Sequence, residues 1–463
     1  MPSKIAAVAA LALLLATQVG CRGPRPTRTF TDSTWEPCPE RIDRGHWAEM
    51  AAVPARPDTS QSFWKDEHVL TLLTYEPPTG LRYDLCANRW DRISTRGAPA
   101  RSGSRFWTGV TLVIVGDDTP GAAATAFLPG RGDWIPWGSL PPGRSATHVM
   151  ARSQGPFRLL ARDGKSMGDF GPVTVLWDLH EARAVPLGGE APSPRASYAS
   201  AWMGDRFVAW GGTAEPPRQP WVPAPPRPWL GDGAVLERRG DDAWAWRPAS
   251  SIGAPSPRVP GAFARSGTRL AVWGGLGPGP DQGVSCPTDG AVYDALKDSW
   301  SPIPARDAPS PRLGAAAIAT GKWFVVLGGS TACGRARDRL ADGGVYDLEA
   351  GTWRALSLPG PVAQDSVEVA EIAGGRVAIL PGSNGTVGSW LGILDPGTGE
   401  VIRVDIPQRL QGRRGMQVVF TQGRLLLFGG FRDIPRPPCP GPMPCDYAGP
   451  TTELTPDGLI YGF

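Results

Sequence analysis

Short apolar runs that end in a tight turn recur along the chain. Four of them end in a glycine pair: RFVAWGG (Arg206 to Gly212), RLAVWGG (Arg269 to Gly275), WFVVLGG (Trp323 to Gly329) and RLLLFGG (Arg424 to Gly430). Weaker copies are HVLTLLTY (His68 to Tyr75), TLVIVGD (Thr111 to Asp117), FRLLARD (Phe157 to Asp163) and RVAILPG (Arg376 to Gly382). A spacing of roughly 40 to 60 residues marks a repeat architecture before anything else is considered.

The segment after each run is repeated as well. GLRYDLCANRW (Gly80 to Trp90), GAVYDALKDSW (Gly290 to Trp300) and GGVYDLEAGTW (Gly343 to Trp353) share a Tyr-Asp pair and a Trp seven residues after the Tyr. Degenerate versions run from Phe127 to Trp134, from Trp177 and Asp178 to Val185, from Leu236 to Trp244 with one residue inserted, and from Leu394 and Asp395 to Val401. Pro-rich turns then end at Arg195, Arg258 and Arg312. Each unit reads as four short strands, a to d from the axis outward, with the glycine pair ending b, Tyr-Asp on c and Trp on d. One sheet of that size cannot bury both faces alone, whereas neighbours stacked radially can. The glycine pair permits positive φ and close backbone approach. The Tyr and Trp each bring about 150 to 250 Å² of surface to inter-sheet packing.

Glycine pair, Tyr-Asp, spaced Trp and Pro-Arg turn, in that order, resemble the kelch repeat of the galactose oxidase central domain, from about His46 to Phe463. The resemblance implies an all-β kelch-type β-propeller over residues 44–463; the eight apolar runs, each a b strand, make it eight-bladed, with seven blades as the fallback. The last unit supplies a c strand in DGLIYGF (Asp457 to Phe463), and GHWAEMAAVPARP (Gly45 to Pro57) supplies its d strand. Pairing the two ends closes the ring and removes an exposed sheet edge. Trp47 and Tyr461 are therefore expected in neighbouring strands of one blade.

Ahead of the ring, MPSK and the apolar stretch Ile5 to Ala16 have the form of a signal peptide, residues 1–20, too short to span a membrane. Val19-Gly20-Cys21 resembles the cleavage box of bacterial lipoprotein signals, although Gln18 stands where Leu is usual. The expectation is an exported protein, lipid-anchored at Cys21 to a bacterial membrane and facing the periplasm or the cell surface; an ordinary secretory signal is the alternative. Residues 21–43, rich in Pro, Thr and Arg, form the tether. Six further cysteines favour disulfides in an exported chain. The blade frame pairs Cys38 with Cys86, Cys286 with Cys333, and Cys439 with Cys445.

The 60 glycines and 51 prolines punctuate many turns, and 41% apolar residues suffice for a packed core. A net charge of +3 with scattered arginines speaks against nucleic acid as a partner. No GxSxG, HExxH, P-loop or dinucleotide fingerprint occurs. The copper site of galactose oxidase needs two convergent imidazoles, and His46, His68, His148 and His180 fall at positions that do not converge. No metal and no cofactor are expected. The catalytic alternative is a metal-independent sugar-processing enzyme of the sialic acid mutarotase type.

The b-to-c connections are the longest and open on one face, where loops on a rigid scaffold carry function. Trp221 and Trp229 in the fourth unit offer flat faces for a sugar ring or a peptide, or fold back as plugs. Arg335, Arg337, Arg339, Arg432 and Arg436 add positive charge suited to an anionic ligand, although Asp338, Asp342 and Asp433 sit among them. Arg195, Arg258 and Arg312 either reach the channel mouth as ligand contacts or bond carbonyls of the next blade. The expectation is a monomeric, non-catalytic scaffold that binds a glycan or a protein through this face and touches membrane only through its anchor.

Overall fold

In the computed structural model the described residues are 43–54, 62–65, 69–75, 78–99, 105–107, 111–115, 123–128, 132–139, 144–149, 157–162, 175–178, 183–185, 187–214, 228–240, 243–280, 283–331, 339–360, 362, 367–383, 386–421, 423–434 and 451–463. All belong to the unit Glu36–Phe463. The fold is an all-β propeller built from antiparallel sheets in which consecutive strands pair.

Sheet one comprises Ser62–Lys65, Val69–Tyr75, Pro78–Asp84 and Arg89–Ile93, and sheet two Arg105–Trp107, Leu112–Val115, Ala123–Leu128 and Asp133–Ser139. Sheet three is Arg144–Val149, Phe157–Arg162, Val175–Asp178 and Arg183–Val185. Sheet four is Ala199–Met203, Arg206–Trp210, Gly233–Arg238 and Trp244–Pro248, with Leu187–Gly188 added in parallel at its outer edge. Sheet five is Val259–Ser266, Arg269–Pro278, Gly290–Asp294 and Ser299–Ile303, with Val284–Ser285 pairing the extended second strand. Sheet six is Ala316–Thr320, Trp323–Leu327, Asp342–Asp347 and Thr352–Ser357, and sheet seven Glu368–Ile372, Arg376–Leu380, Trp390–Leu394 and Val401–Asp405. Sheet eight joins Gln417–Thr421, Arg424–Phe428 and Gly458–Gly462 to Trp47–Met50. Six of these have the four-strand form of a propeller blade and two carry a fifth strand. Four-stranded blades alone thus number six, neither the eight nor the seven expected, because the second strand of sheet five runs on past its turn and the lead into sheet four adds an edge.

The glycine pairs sit where expected and are required twice over. Gly328 and Gly329 have φ of 55° and 88°, and a β-carbon on Gly329 would lie 2.6 Å from the Leu313 carbonyl oxygen. The repeated Asp closes the c-to-d hairpin: Asp294 Oδ1 accepts from the N–H of Leu296 and Lys297, and Asp84, Asp347 and Asp395 act alike. The turn then needs one left-handed residue, and Asn88, Asp298, Gly351 and Gly399 occupy that position.

Tyr83, Tyr293 and Tyr346 stand directly across from Trp90, Trp300 and Trp353. Sheet four departs from the expected register: Leu236 faces Trp246, and Trp244 faces Arg238, because the hairpin arms are longer than one inserted residue allows. Each indole N–H bonds a carbonyl of the preceding sheet: Trp90 to Ala51, Trp134 to Ser94, Trp300 to Ser250 and Trp353 to Pro304, at 2.8 to 3.0 Å. Trp47 does the same to Asp405 at 3.1 Å, and it lies opposite Tyr461, as expected.

The core consists of apolar layers between neighbouring sheets. Phe324, Val326 and Tyr346 of sheet six pack on Ala262, Ala271 and Trp273 of sheet five. Met50, Phe428 and Ile460 of sheet eight pack on Leu81 and Tyr83 of sheet one. At about 25 cal/mol per Å² of apolar surface buried, each such layer contributes several kcal/mol against the entropy of ordering the chain.

Candidate functional site: the face of the b-to-c connections

The second and third strands of each sheet join on the face from which the first strand also starts, so turns out of b, starts of c and leads into a share one surface. In sheets four, five and six the base of this junction is one ionic clamp. Arg195, Arg258 and Arg312 have no exposed surface. Arg312 Nε donates to the Ser310 carbonyl at 2.9 Å, Nη1 to the carbonyls of Gly328 (2.9 Å) and Asp342 (3.2 Å), and Nη2 to Ser310 Oγ at 3.1 Å. Arg195 makes the same set with Ser193, Gly211 and Asp232, and Arg258 with Ser256, Gly274 and Asp289. Ion pairs to Asp232, Asp289 and Asp342 at 2.7 to 3.0 Å complete the clamps, and these carboxylates are half or more exposed.

These three arginines therefore leave the set of candidate ligand contacts, because their guanidinium groups are enclosed and engaged within the fold. The side chains bond the blade they open rather than its neighbour. The Arg258 backbone does bridge, accepting from Gly212 N–H at 2.7 Å and donating to the Leu230 carbonyl at 3.1 Å. Burial lowers the pKa of Arg258, and the hydrogen bond and charge of Asp289 oppose that shift.

Sequence reasoning missed a fourth arginine of this kind. Arg413 is 2% exposed; its Nε donates to the Arg409 carbonyl at 2.9 Å and its Nη2 to Asp457 Oδ2 at 2.9 Å. No Pro-Ser-Pro precedes it. The signal lay in its partner: Asp232, Asp289, Asp342 and Asp457 each stand directly before a glycine at the start of a third strand. Burial works against ionisation of Asp457, but Arg413 and the nearby Arg409 charge hold its carboxyl below the usual range.

Above the clamps, Trp229 is half-buried and bridges Thr213 at the root of the sheet-four connection. Arg339 is exposed at the matching place in sheet six, bridging Ser330. Arg432 is exposed and donates to the Arg409 carbonyl at 3.0 Å. Asp433 pairs with Arg414, and Asp342 with Arg312. Trp221, Arg335, Arg337, Asp338 and Arg436 lie outside the described residues, as do Cys21, Cys38, Cys333, Cys439 and Cys445. Cys86, in the c-to-d turn of sheet one, and Cys286, in the b-to-c connection of sheet five, are each disulfide-bonded. Among the described residues no group of three or more His, Cys, Asp or Glu is placed to hold a metal, and no helix is long and apolar enough to cross a membrane.

Two other depressed carboxylates lie away from this face, in c-to-d turns. Burial opposes ionisation of Asp298, and the Ser250 N–H, the Tyr293 hydroxyl and Arg247 overcome it. For Asp347, burial is likewise outweighed by Lys322 and two backbone N–H groups. Both serve the turn.

No protein-family model matches the chain. A stretch of 237 residues, 49% of the chain, is 27% identical to acyl-CoA-binding domain-containing protein 4 of Arabidopsis thaliana. The chain covers 31% of that protein's length. The class defined by fold and face is an all-β propeller with clamped loops on one side.

Proposed function

We propose that this protein is a non-catalytic, exported kelch-type propeller of eight blades, anchored by lipid at Cys21, that binds a glycan or a protein partner through the face of its b-to-c connections. The observation that carries the binding reading is the way that face is built. Four connections, 211–232, 279–289, 328–341 and 429–457, each rise from a junction held by a buried arginine and an Asp-Gly start. Rigidly rooted loops are the usual carriers of recognition on a scaffold.

The reading of eight blades is supported by counting the two five-stranded sheets with the six four-stranded ones. Closure is supported by the pairing of Trp47 with Tyr461, and by the indole bonds of Trp47 and Trp90, which link sheet seven to eight and eight to one in the repeated manner. Kelch type is supported by the glycine pairs and by the Tyr-Trp cross-strand pairs. Export is supported by the signal-like start and by the bonded state of Cys86 and Cys286. The proposed partners are Cys38 for Cys86 and Cys333 for Cys286, with Cys439 paired to Cys445; Trp221, Trp229, Arg335, Arg337 and Arg339 are the proposed ligand contacts.

The test is a thermal-shift screen of the purified protein against sialic acids, neutral sugars and glycan fragments. A ligand at about 100 times its Kd stabilises by roughly 2.7 kcal/mol. A reproducible rise that is lost in Trp229→Ala supports the sugar reading. A flat panel removes it and leaves the protein partner.

A further inference from the structure

In sheets four, five, six and eight the third strand begins at an Asp-Gly pair: Asp232-Gly233, Asp289-Gly290, Asp342-Gly343 and Asp457-Gly458. Separate demands fix the two residues. The aspartates pair with buried arginines, and a β-carbon on Gly343 or Gly458 would lie 2.3 Å from the Val326 carbonyl oxygen or 2.5 Å from the Phe428 β-carbon. Each junction thereby holds a dipeptide prone to isomerise, since glycine has no side chain to shield its amide nitrogen from the preceding carboxyl. In that reaction the glycine nitrogen bonds to Cγ of the protonated aspartic acid, the Cγ–OH bond breaks, and the hydroxyl leaves as water with the amide proton. Solvent water then opens the succinimide at either carbonyl, giving back aspartate or leaving isoaspartate, which has one more carbon in the main chain.

Ring closure demands a turn about the Cα–C bond of the aspartate, which swings its backbone carbonyl out of place, so the donors on that carbonyl resist the reaction. In sheets four to six there are two: the N–H of Gly211, Gly274 or Gly328 at 2.9 to 3.0 Å, and Nη1 of Arg195, Arg258 or Arg312 at 3.0 to 3.2 Å. In sheet eight, among the described residues, there is one, the Gly429 N–H at 3.2 Å. Arg413 reaches the Asp457 carboxylate through Nη2, and its Nη1 bonds no described residue. We infer that Asp457-Gly458 is the one of these four bonds at which the folded protein converts most readily to isoaspartate. Gly458 opens the strand that pairs with Trp47–Met50, and the Pro456 carbonyl accepts the Val53 N–H at 2.9 Å. One added main-chain carbon between Pro456 and Gly458 sets these two contacts out of step, so the change falls on the pairing of the two ends of the chain.

Ageing of the full-length protein at neutral pH, below its unfolding midpoint, tests this, with isoaspartate read by isoaspartyl methyltransferase labelling and peptide mapping. Isoaspartate at 457 is expected to accumulate at least about fivefold faster than at 232, 289 or 342. In unfolding concentrations of urea the four rates should agree within about threefold, because the difference belongs to the fold. Arg312→Met, which removes the second donor from the Asp342 carbonyl, should raise the rate at 342 at least about fivefold. The rates at 232 and 289, which report an intact ring, should stay within about twofold in that variant. Equal rates at the four bonds of the folded wild type, an excess at 457 that persists in urea, or an unchanged rate at 342 in Arg312→Met would each overturn the inference.

Discussion

Sheets six and seven lie side by side, share the apolar layer from Val325 to Leu394, and secure the turn out of their second strands in opposite ways. Sheet six leaves through Gly328 and Gly329 in left-handed conformations, and Arg312 gathers both sides of the junction. Sheet seven leaves through Pro381, folds at once into the hairpin Gly382–Ser383 with Thr386–Val387, and closes with the Gly388 N–H on the Pro381 carbonyl at 2.8 Å. A short hairpin satisfies its own backbone. A long connection costs more entropy to close and leaves strand-end carbonyls for another group to satisfy. In this pair the buried arginine accompanies the longer connection.

The largest expected effect comes from removing the clamp. Arg312→Ala leaves the Gly328 carbonyl without its donor, strips one of the two donors from the Asp342 carbonyl and opens a cavity, and it should cost about 3 to 4 kcal/mol in urea unfolding. A cost under about 1 kcal/mol would mean that the junction is secured by length-independent contacts, as in sheet seven. Gly329→Ala forces a β-carbon at φ 88° against the Leu313 carbonyl and should cost about 2 to 3 kcal/mol, measured the same way.

Smaller effects separate the sheets by their outer strands. Trp353→Phe loses the bond to the Pro304 carbonyl and part of the packing on Tyr346 and Trp273, an expected cost of about 1 to 2 kcal/mol. Val401 holds the matching place in sheet seven, across from Leu394, and Val401→Ala should cost less than half as much.

The smallest effect concerns pH. Asp298, Asp347 and Asp457 have folded pKa values below the ordinary carboxylate value. Their contribution is complete above that ordinary value and is lost as pH falls through the folded pKa values. The urea midpoint should hold down to about pH 5 and decline toward about pH 2. Loss of amide protection should begin in sheets five, six and eight. A midpoint that rises on acidification would contradict those depressed values.

The repeat was legible because each of its marks answers a steric or packing demand. Gly329 has no room for a side chain, Tyr346 and Trp353 must face each other, and Asp347 must cap its turn. Trp47 was recognisable as a displaced outer strand for the same reason. Arg413 was not, since the lead into its strand carries no proline marker and its partner Asp457 lies 44 residues on. The register of Trp246 was hidden by a hairpin whose length, not its residue types, had changed. Nor could the sequence tell a buried guanidinium from an exposed one. The residue pattern of Arg312 suits either a ligand or a carbonyl cage, and only the placement of Gly328 and Asp342 around it decides between them.

The strand Trp47–Met50 is the outermost of sheet eight, yet it precedes every other described strand in the chain. On a ribosome it is made long before its partner, Gly458–Gly462. Throughout that interval the nascent polypeptide carries an unpaired edge and an unmatched Trp47, the kind of surface that chaperones hold. Completion of sheet eight is therefore expected to wait for release of Gly458–Gly462, with shorter nascent lengths kept open and susceptible to proteases until that moment.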